Sequence, residues 1–176
     1  MFDILSQRLQ AITDKSLAYN LRLLLEPLFS RTRSCMLSTA GLVIKVGGST
    51  LAKTGAITVH YIADGVKGRI LSSTDMPALT GLNIANGKWN VIVFTVDKAG
   101  TVRAQIGKKD PATGTDPATE AGIRWPELDQ RRAIVGMIVI NAATGAFTGG
   151  TTPLDDATLA VQYISPIGSF DPSVKI

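Results

Sequence analysis

Trp89-Asn90-Val91-Ile92-Val93-Phe94-Thr95-Val96, then Asp97-Lys98-Ala99-Gly100, then Thr101-Val102-Arg103-Ala104-Gln105-Ile106: these residues read as a strand, a tight turn and a returning strand. The first run is dense in β-branched and aromatic side chains, which suit a pleated, buried surface. The connection runs from an Asp, whose carboxylate can cap backbone N–H groups, to a Gly, which accepts the left-handed backbone of a turn. The same device stands upstream. Ile57, Val59 and Tyr61 alternate with Thr58 and His60 in a strand over Ala56–Ile62, Ala63-Asp64-Gly65 turns the chain, and Val66–Leu71 returns. Two such hairpins predict an antiparallel meander.

The flanking sequence extends the pattern. Met36–Val46 reads as a strand, Thr74–Leu79 as a short helix or turn leading to Gly81, and Asn86-Gly87 as the turn before Trp89. Residues 107–129 are polar and hold three prolines, two in Asp-Pro steps, which predicts a long exposed arm. Ala133–Ile140 carries no charge and reads as a buried strand with Gly136 inside it. A Gly/Thr-rich loop follows over Asn141–Asp156, and Thr158–Ile164 forms a last strand before a turn-rich tail. No helices recur between strands to build a parallel sheet. The expected class is therefore mainly β: an antiparallel β-sandwich or small barrel of seven or eight strands, with an N-terminal helix.

That helix is expected over residues 1–30, ahead of a β domain at 31–176. Leu5, Leu9, Ile12, Tyr19 and Leu23 recur at helical spacing, with Ser16 in the gap. Leu17, Leu21, Leu24 and Leu28 make a second stripe, and Pro27 marks an end or kink. Ser16 interrupts the heptads a coiled coil needs, so the segment suits packing on its own domain, self-association or docking. Leu28–Arg33 is a basic connector containing Arg31 and Arg33.

Composition removes several function classes. One cysteine, Cys35, allows no intrachain disulfide and suits a structural or edge thiol, and one histidine, His60, cannot build a multi-imidazole zinc centre. No apolar run approaches a membrane span, and the start MFDILSQRLQ lacks the pattern of a secretory leader. The net charge is +4, yet residues 133–170 carry no Lys or Arg, and the paired basic sites Lys108/Lys109 and Arg131/Arg132 lie beside Asp110, Glu127 and Asp129. A phosphate-binding face needs a more concentrated excess, so no direct nucleic-acid partner and no membrane partner are expected.

Few motifs propose chemistry. Val43-Ile44-Lys45-Val46-Gly47-Gly48-Ser49-Thr50-Leu51 resembles the opening of the amino-acid kinase family, where glycine amides surround phosphate and a lysine steadies transferred charge. That resemblance implies a small phosphate-binding enzyme using the Lys45-Gly47-Gly48-Ser49 turn, but such kinases need a larger alternating α/β body. Neither G-x-x-x-x-G-K-[ST] nor G-x-G-x-x-G occurs. Asp155 and Asp156, adjacent and so divergent on a strand, suit turn capping. His60 falls on the face opposite Ile57, Val59 and Tyr61 and reads as a surface histidine. Trp89 and Trp125 read as packing anchors, Trp125 where the arm rejoins the body. No catalytic residue, cofactor or metal ligand is assigned.

The hairpins, the strand Ala133-Ile134-Val135-Gly136-Met137-Ile138-Val139-Ile140-Asn141 and the following Phe147-Thr148-Gly149-Gly150-Thr151-Thr152 resemble a β module of tailed-bacteriophage accessory structural proteins. ITVHYIADG at 57–65 and YISPIGSFDP at 163–172 add to the likeness, which spans residues 41–172. The resemblance implies a non-enzymatic virion protein, a head decoration or cement protein first, assembled in the host cytoplasm. It implies a homo-oligomer, with a trimer favoured, bound to the major capsid or other virion proteins. A tail or fibre-associated receptor or carbohydrate-binding module is the alternative. Candidate interface residues are Leu5, Leu9, Ile12, Tyr19, Leu23, Arg31, Arg33 and Trp125.

Overall fold

Residues 33–107 and 125–168 are described in a computed structural model of the chain. Their strands, in order, are β1 (Cys35–Met36), β2 (Val43–Ile44), β3 (Ala52–Lys53), β4 (Val59–Ala63), β5 (Val66–Ile70), β6 (Asn83–Ile84), β7 (Lys88–Val96), β8 (Val102–Ile106), β9 (Ala133–Ala142), β10 (Phe147–Thr148) and β11 (Ala160–Ile164). They form a four-stranded sheet, β11-β9-β7-β8, a three-stranded sheet, β1-β4-β5, and the two-stranded pairs β10-β6 and β2-β3. Every pairing is antiparallel. The chain is mainly β, as expected. None of these sheets closes into a barrel, because each ends in strands paired on one side only.

The two long strands β7 and β9 are apolar because both of their faces are covered. On one face Ile92, Phe94, Val96, Ile138 and Ile140, none with exposed surface, pack with Met36, Val59, Tyr61 and Ala63 from the three-stranded sheet. On the other, Trp89, Val91, Val93, Met137 and Val139 form a second cluster beneath Trp125 and Leu128. Each such aliphatic or aromatic side chain contributes about 1.5–3 kcal/mol when fully buried.

A bulge joins these two patterns. Phe94 pairs with Gly136, but Thr95 pairs with Ile134, so Val135 is an extra residue with nothing opposite it. The extra residue switches the alternation, and Val135 and Gly136 both turn toward the main core while Ile134 joins the second cluster. Gly136 sits where a side chain has no room: a Cβ there would lie 2.5 Å from Leu42 Cδ1 and 2.8 Å from the Ile164 carbonyl oxygen.

The two expected hairpins form, in different sheets. Asp64 and Gly65 both take positive φ, 50° and 78°, between the paired residues Ala63 and Val66, the geometry of a type I′ turn. The expected strand at Met36–Val46 is instead two short strands, β1 and β2. Gly41 at φ 54° breaks the run, and Gly55 N–H donates to the Ala40 carbonyl there. Thr74–Leu79 contains no helix. It runs extended beside β3, with Thr54 and Met76 N–H groups donating to Thr74 and Ala52 carbonyls. The expected helix over 1–30 lies outside the described residues.

Candidate functional site

At one end of the molecule the two hairpin turns stand side by side. Asp97 Oδ1 accepts the N–H groups of Ala99 and Thr101, each at 2.9 Å, which closes the β7–β8 turn. Its other oxygen accepts Arg132 Nη1 at 2.9 Å. The Arg132 side chain is only 8% exposed. It also donates to Thr95 Oγ1, the Thr95 carbonyl and the Thr101 carbonyl. One guanidinium thus clamps the start of β9 to both limbs of the hairpin, using the fork of donors that lysine lacks. The Thr101 N–H lowers the Asp97 pKa most, with Arg132 and the Ala99 N–H adding to it. Tyr61 reaches the same end, and its pKa is raised by burial first and by the Asp97 charge second.

Arg33 belongs to this cluster. Its Nη2 lies 2.9 Å from Asp64 Oδ1, a charge contact without hydrogen-bond alignment, and Lys98 Nζ lies 3.6 Å from Asp64 Oδ2. The Arg33 carbonyl accepts Gly65 N–H, and Ser34 Oγ accepts Asp64 N–H. The connector is therefore stitched to the β4–β5 turn.

The glycine turn after β2 is occupied from within the chain. Gly48 N–H donates to both oxygens of Asp155, at 3.1 and 2.9 Å, and Lys45 Nζ lies 2.6 Å from Asp75 Oδ2. Asp155 fills the place an anion would take, and a phosphate would have to displace it. Asp156 caps its own loop, accepting the Thr158 N–H and hydroxyl, which lower its pKa in the order hydroxyl, then N–H. Both aspartates therefore accept backbone N–H groups, as their sequence context predicts, although Asp155 serves a turn far away in the chain. Tyr163 nearby has its pKa raised by burial and then by Asp155.

A third feature is the outward face of the β1-β4-β5 sheet. Register places Cys35 beside Ile62, Leu37 beside His60, and Ile62 and His60 beside Lys67 and Arg69. His60 is exposed, as alternation predicts, with Leu37 48% and Leu71 61% exposed.

Of the expected interface residues, Leu5, Leu9, Ile12, Tyr19, Leu23 and Arg31 lie outside the described residues. Arg33 is held by Asp64. Trp125 is half-buried on the second cluster beside buried Pro126, so the end of the expected arm is seated on the main sheet. Residues 108–124 of that arm lie outside the described residues. Sequence reasoning missed Arg132, whose partners lie some 35 positions upstream and leave no local signal. Among the described residues, no three His, Cys, Asp or Glu side chains gather as a metal site, and no helix is long and apolar enough to cross a membrane. Comparison with protein-family models, curated proteins and solved structures found no match.

Proposed function

We propose that the chain is a non-enzymatic structural protein of a tailed-phage virion, a head decoration or cement protein that assembles with copies of itself and binds the capsid lattice. In this reading the two larger sheets act as the halves of a β-sandwich, and the N-terminal helix at 1–30 supplies self-association or docking. The observation that carries the reading is where the described ionic groups are spent. Arg132, Asp97, Asp155, Asp156 and Arg33 hold turns and strand ends together, while Val46, Ile57, Leu71 and Ile167 are each more than 60% exposed. Scattered apolar side chains are ordinary on a monomer, but they also suit broad packing against copies. Closed symmetry multiplies such weak contacts.

Light scattering of the purified full chain tests this. The expected result is a defined oligomer, and deletion of residues 1–28 should reduce its mass or its capsid attachment while the β circular dichroism remains. A concentration-independent monomer that does not bind capsids overturns the proposal.

A further inference from the structure

We propose that two copies of this chain meet at the outer edge of β8, each β8 pairing antiparallel with the partner's β8 about a two-fold axis at Ala104. The proposal names a contact for the self-association above and rests on that part of the reading, not on the virion placement. The edge is open. Asp97 N–H donates to the Thr101 carbonyl and Gly107 N–H to the Val91 carbonyl, so the odd-numbered residues of β8 turn their backbone groups to β7. Val102, Ala104 and Ile106 turn theirs outward, and no other described segment bonds to them. Such a row of free N–H and C=O groups is a template for one more strand. The other edges of the two larger sheets are guarded. β5 turns Lys67 and Arg69 outward, and two-fold pairing about Gly68 would set Lys67 opposite the partner's Arg69, like charge against like. The 39–42 segment crosses the end of β11, where Thr39 Oγ1 donates to the Ser165 carbonyl and Leu42 N–H to Ser165 Oγ. At β1, Met36 and Gly168 exchange both of their backbone bonds.

The register follows from the residues. Centred on Ala104, it sets Val102 opposite the partner's Ile106 and Ala104 opposite the partner's Ala104, so all the outward residues of β8 bond across the axis. Their side chains, half-buried against the main core, then continue its apolar row into the second copy. The same register sets Arg103 opposite the partner's Gln105, whereas centring on Arg103 would oppose two arginines. Charge supports this choice. Gln105 and Arg103 share one face of the strand, opposite Val93 and Thr95, and Gln105 Nε2 lies 3.5 Å from the Glu127 carbonyl oxygen. Glu127 therefore stands beside Gln105. Both Arg103 and Glu127 are exposed, and neither has an ion pair among the described residues. Directly opposed residues hold their Cβ atoms about 4.5–5.5 Å apart, so the long Arg103 side chain of one copy comes within reach of the partner's Glu127. The two-fold axis makes that contact twice. Two charges left unused within the chain are complementary between copies.

Charge reversal on the full chain tests the proposal, read by sedimentation equilibrium and by residue-resolved amide hydrogen exchange. Arg103→Glu and Glu127→Arg should each weaken self-association by about fivefold or more, since each turns both contacts repulsive. The double variant, with the charges exchanged, should return to within about threefold of the parent. In the associated parent the amides of Val102, Ala104 and Ile106 should exchange at least about tenfold more slowly than in the diluted, monomeric sample. Single variants that associate as the parent does, or a double variant that stays weak, overturn the proposal. Slow exchange at these three amides in a sample that is monomeric by mass overturns it too, because the chain itself would then cover the edge. If the β9 amides become fast in Arg103→Glu, that variant has lost its fold, and Glu127→Arg alone carries the comparison with the parent. The two readings fail separately. A parent that is monomeric at every concentration removes both, whereas a parent oligomer with these three amides fast removes the β8 contact and leaves self-association standing.

Discussion

Replacing Gly136 by alanine adds one methyl group at a crowded point of the main core. The new Cβ would stand 2.5 Å from Leu42 Cδ1, 3.1 Å from Leu42 Cγ and 2.8 Å from the Ile164 carbonyl oxygen. Carbon atoms pack comfortably at about 3.5–4.0 Å, so the first contact is short by about 1 Å. Leu42 is 4% exposed and cannot swing into solvent, and Ile164 is fixed by its pairing with Met137. Overpacking of this kind costs about 1–3 kcal/mol, which in a chain of this length lowers Tm by roughly 2–12 °C. The informative partner is Leu42→Ala, which alone leaves a cavity and costs about 2–5 kcal/mol. Together the two changes relieve each other: trimming Leu42 removes two of the three short contacts, and the added methyl fills part of the hole. Urea unfolding of both single variants and the pair, followed by tryptophan fluorescence, should give a pair more stable than the sum predicts by at least about 1 kcal/mol. Strict additivity, or a Gly136→Ala variant within about 0.5 kcal/mol of the parent, would refute the packing argument.

Two further outcomes follow from the same kind of reasoning. Gly68→Ala, which would drive a Cβ into the buried Tyr61 ring across the β4–β5 hairpin, should destabilise by about 1–3 kcal/mol and change the near-ultraviolet tyrosine signal; an unchanged signal with unchanged stability counts against that contact. The Asp97 carboxyl has a lowered pKa, chiefly through Thr101 N–H, so its contribution is fully present above the ordinary carboxylate range and is lost as pH falls through the folded-state value. Urea midpoints measured from neutral to strongly acidic pH should therefore decline in acid, and Asp97→Asn should flatten that decline; an equal loss at every pH would point to packing rather than charge.

The parts of this fold legible in the sequence are those specified by neighbours along the chain. Asp64-Gly65 and Asp97–Gly100 announce their turns because the positive φ and the carboxylate cap are local requirements. Ala133–Ile140 announces burial because both faces of β9 are covered, although it could not say by what. Partner choice was illegible. The two hairpins read as one meander enter different sheets, since β7 pairs with β9 rather than β5. Two-residue strands such as β6 and β10 are too short to show alternation and exist through tertiary pairing alone. The same limit hides the candidate sites. Arg132 and Asp155 act on residues brought close only by folding, so their neighbours in sequence suggest a charge cluster and a turn cap respectively.

The pairing of β7 with β9 also has a timetable. Val96 meets Ala133 and Lys88 meets Ala142, so the last partner of β7 is made forty-six positions after β7 ends. At a synthesis rate of about 5–20 residues per second, that interval is about 2–9 s. Throughout it the β7–β8 hairpin can close, but one edge of β7 has no mate. Val91, Ile92, Val93 and Phe94, fully hidden in the finished protein, stand on that open edge during translation. For a nascent chain, this is the period when strand-to-strand sticking between neighbouring copies competes with correct folding, and when a chaperone would matter most.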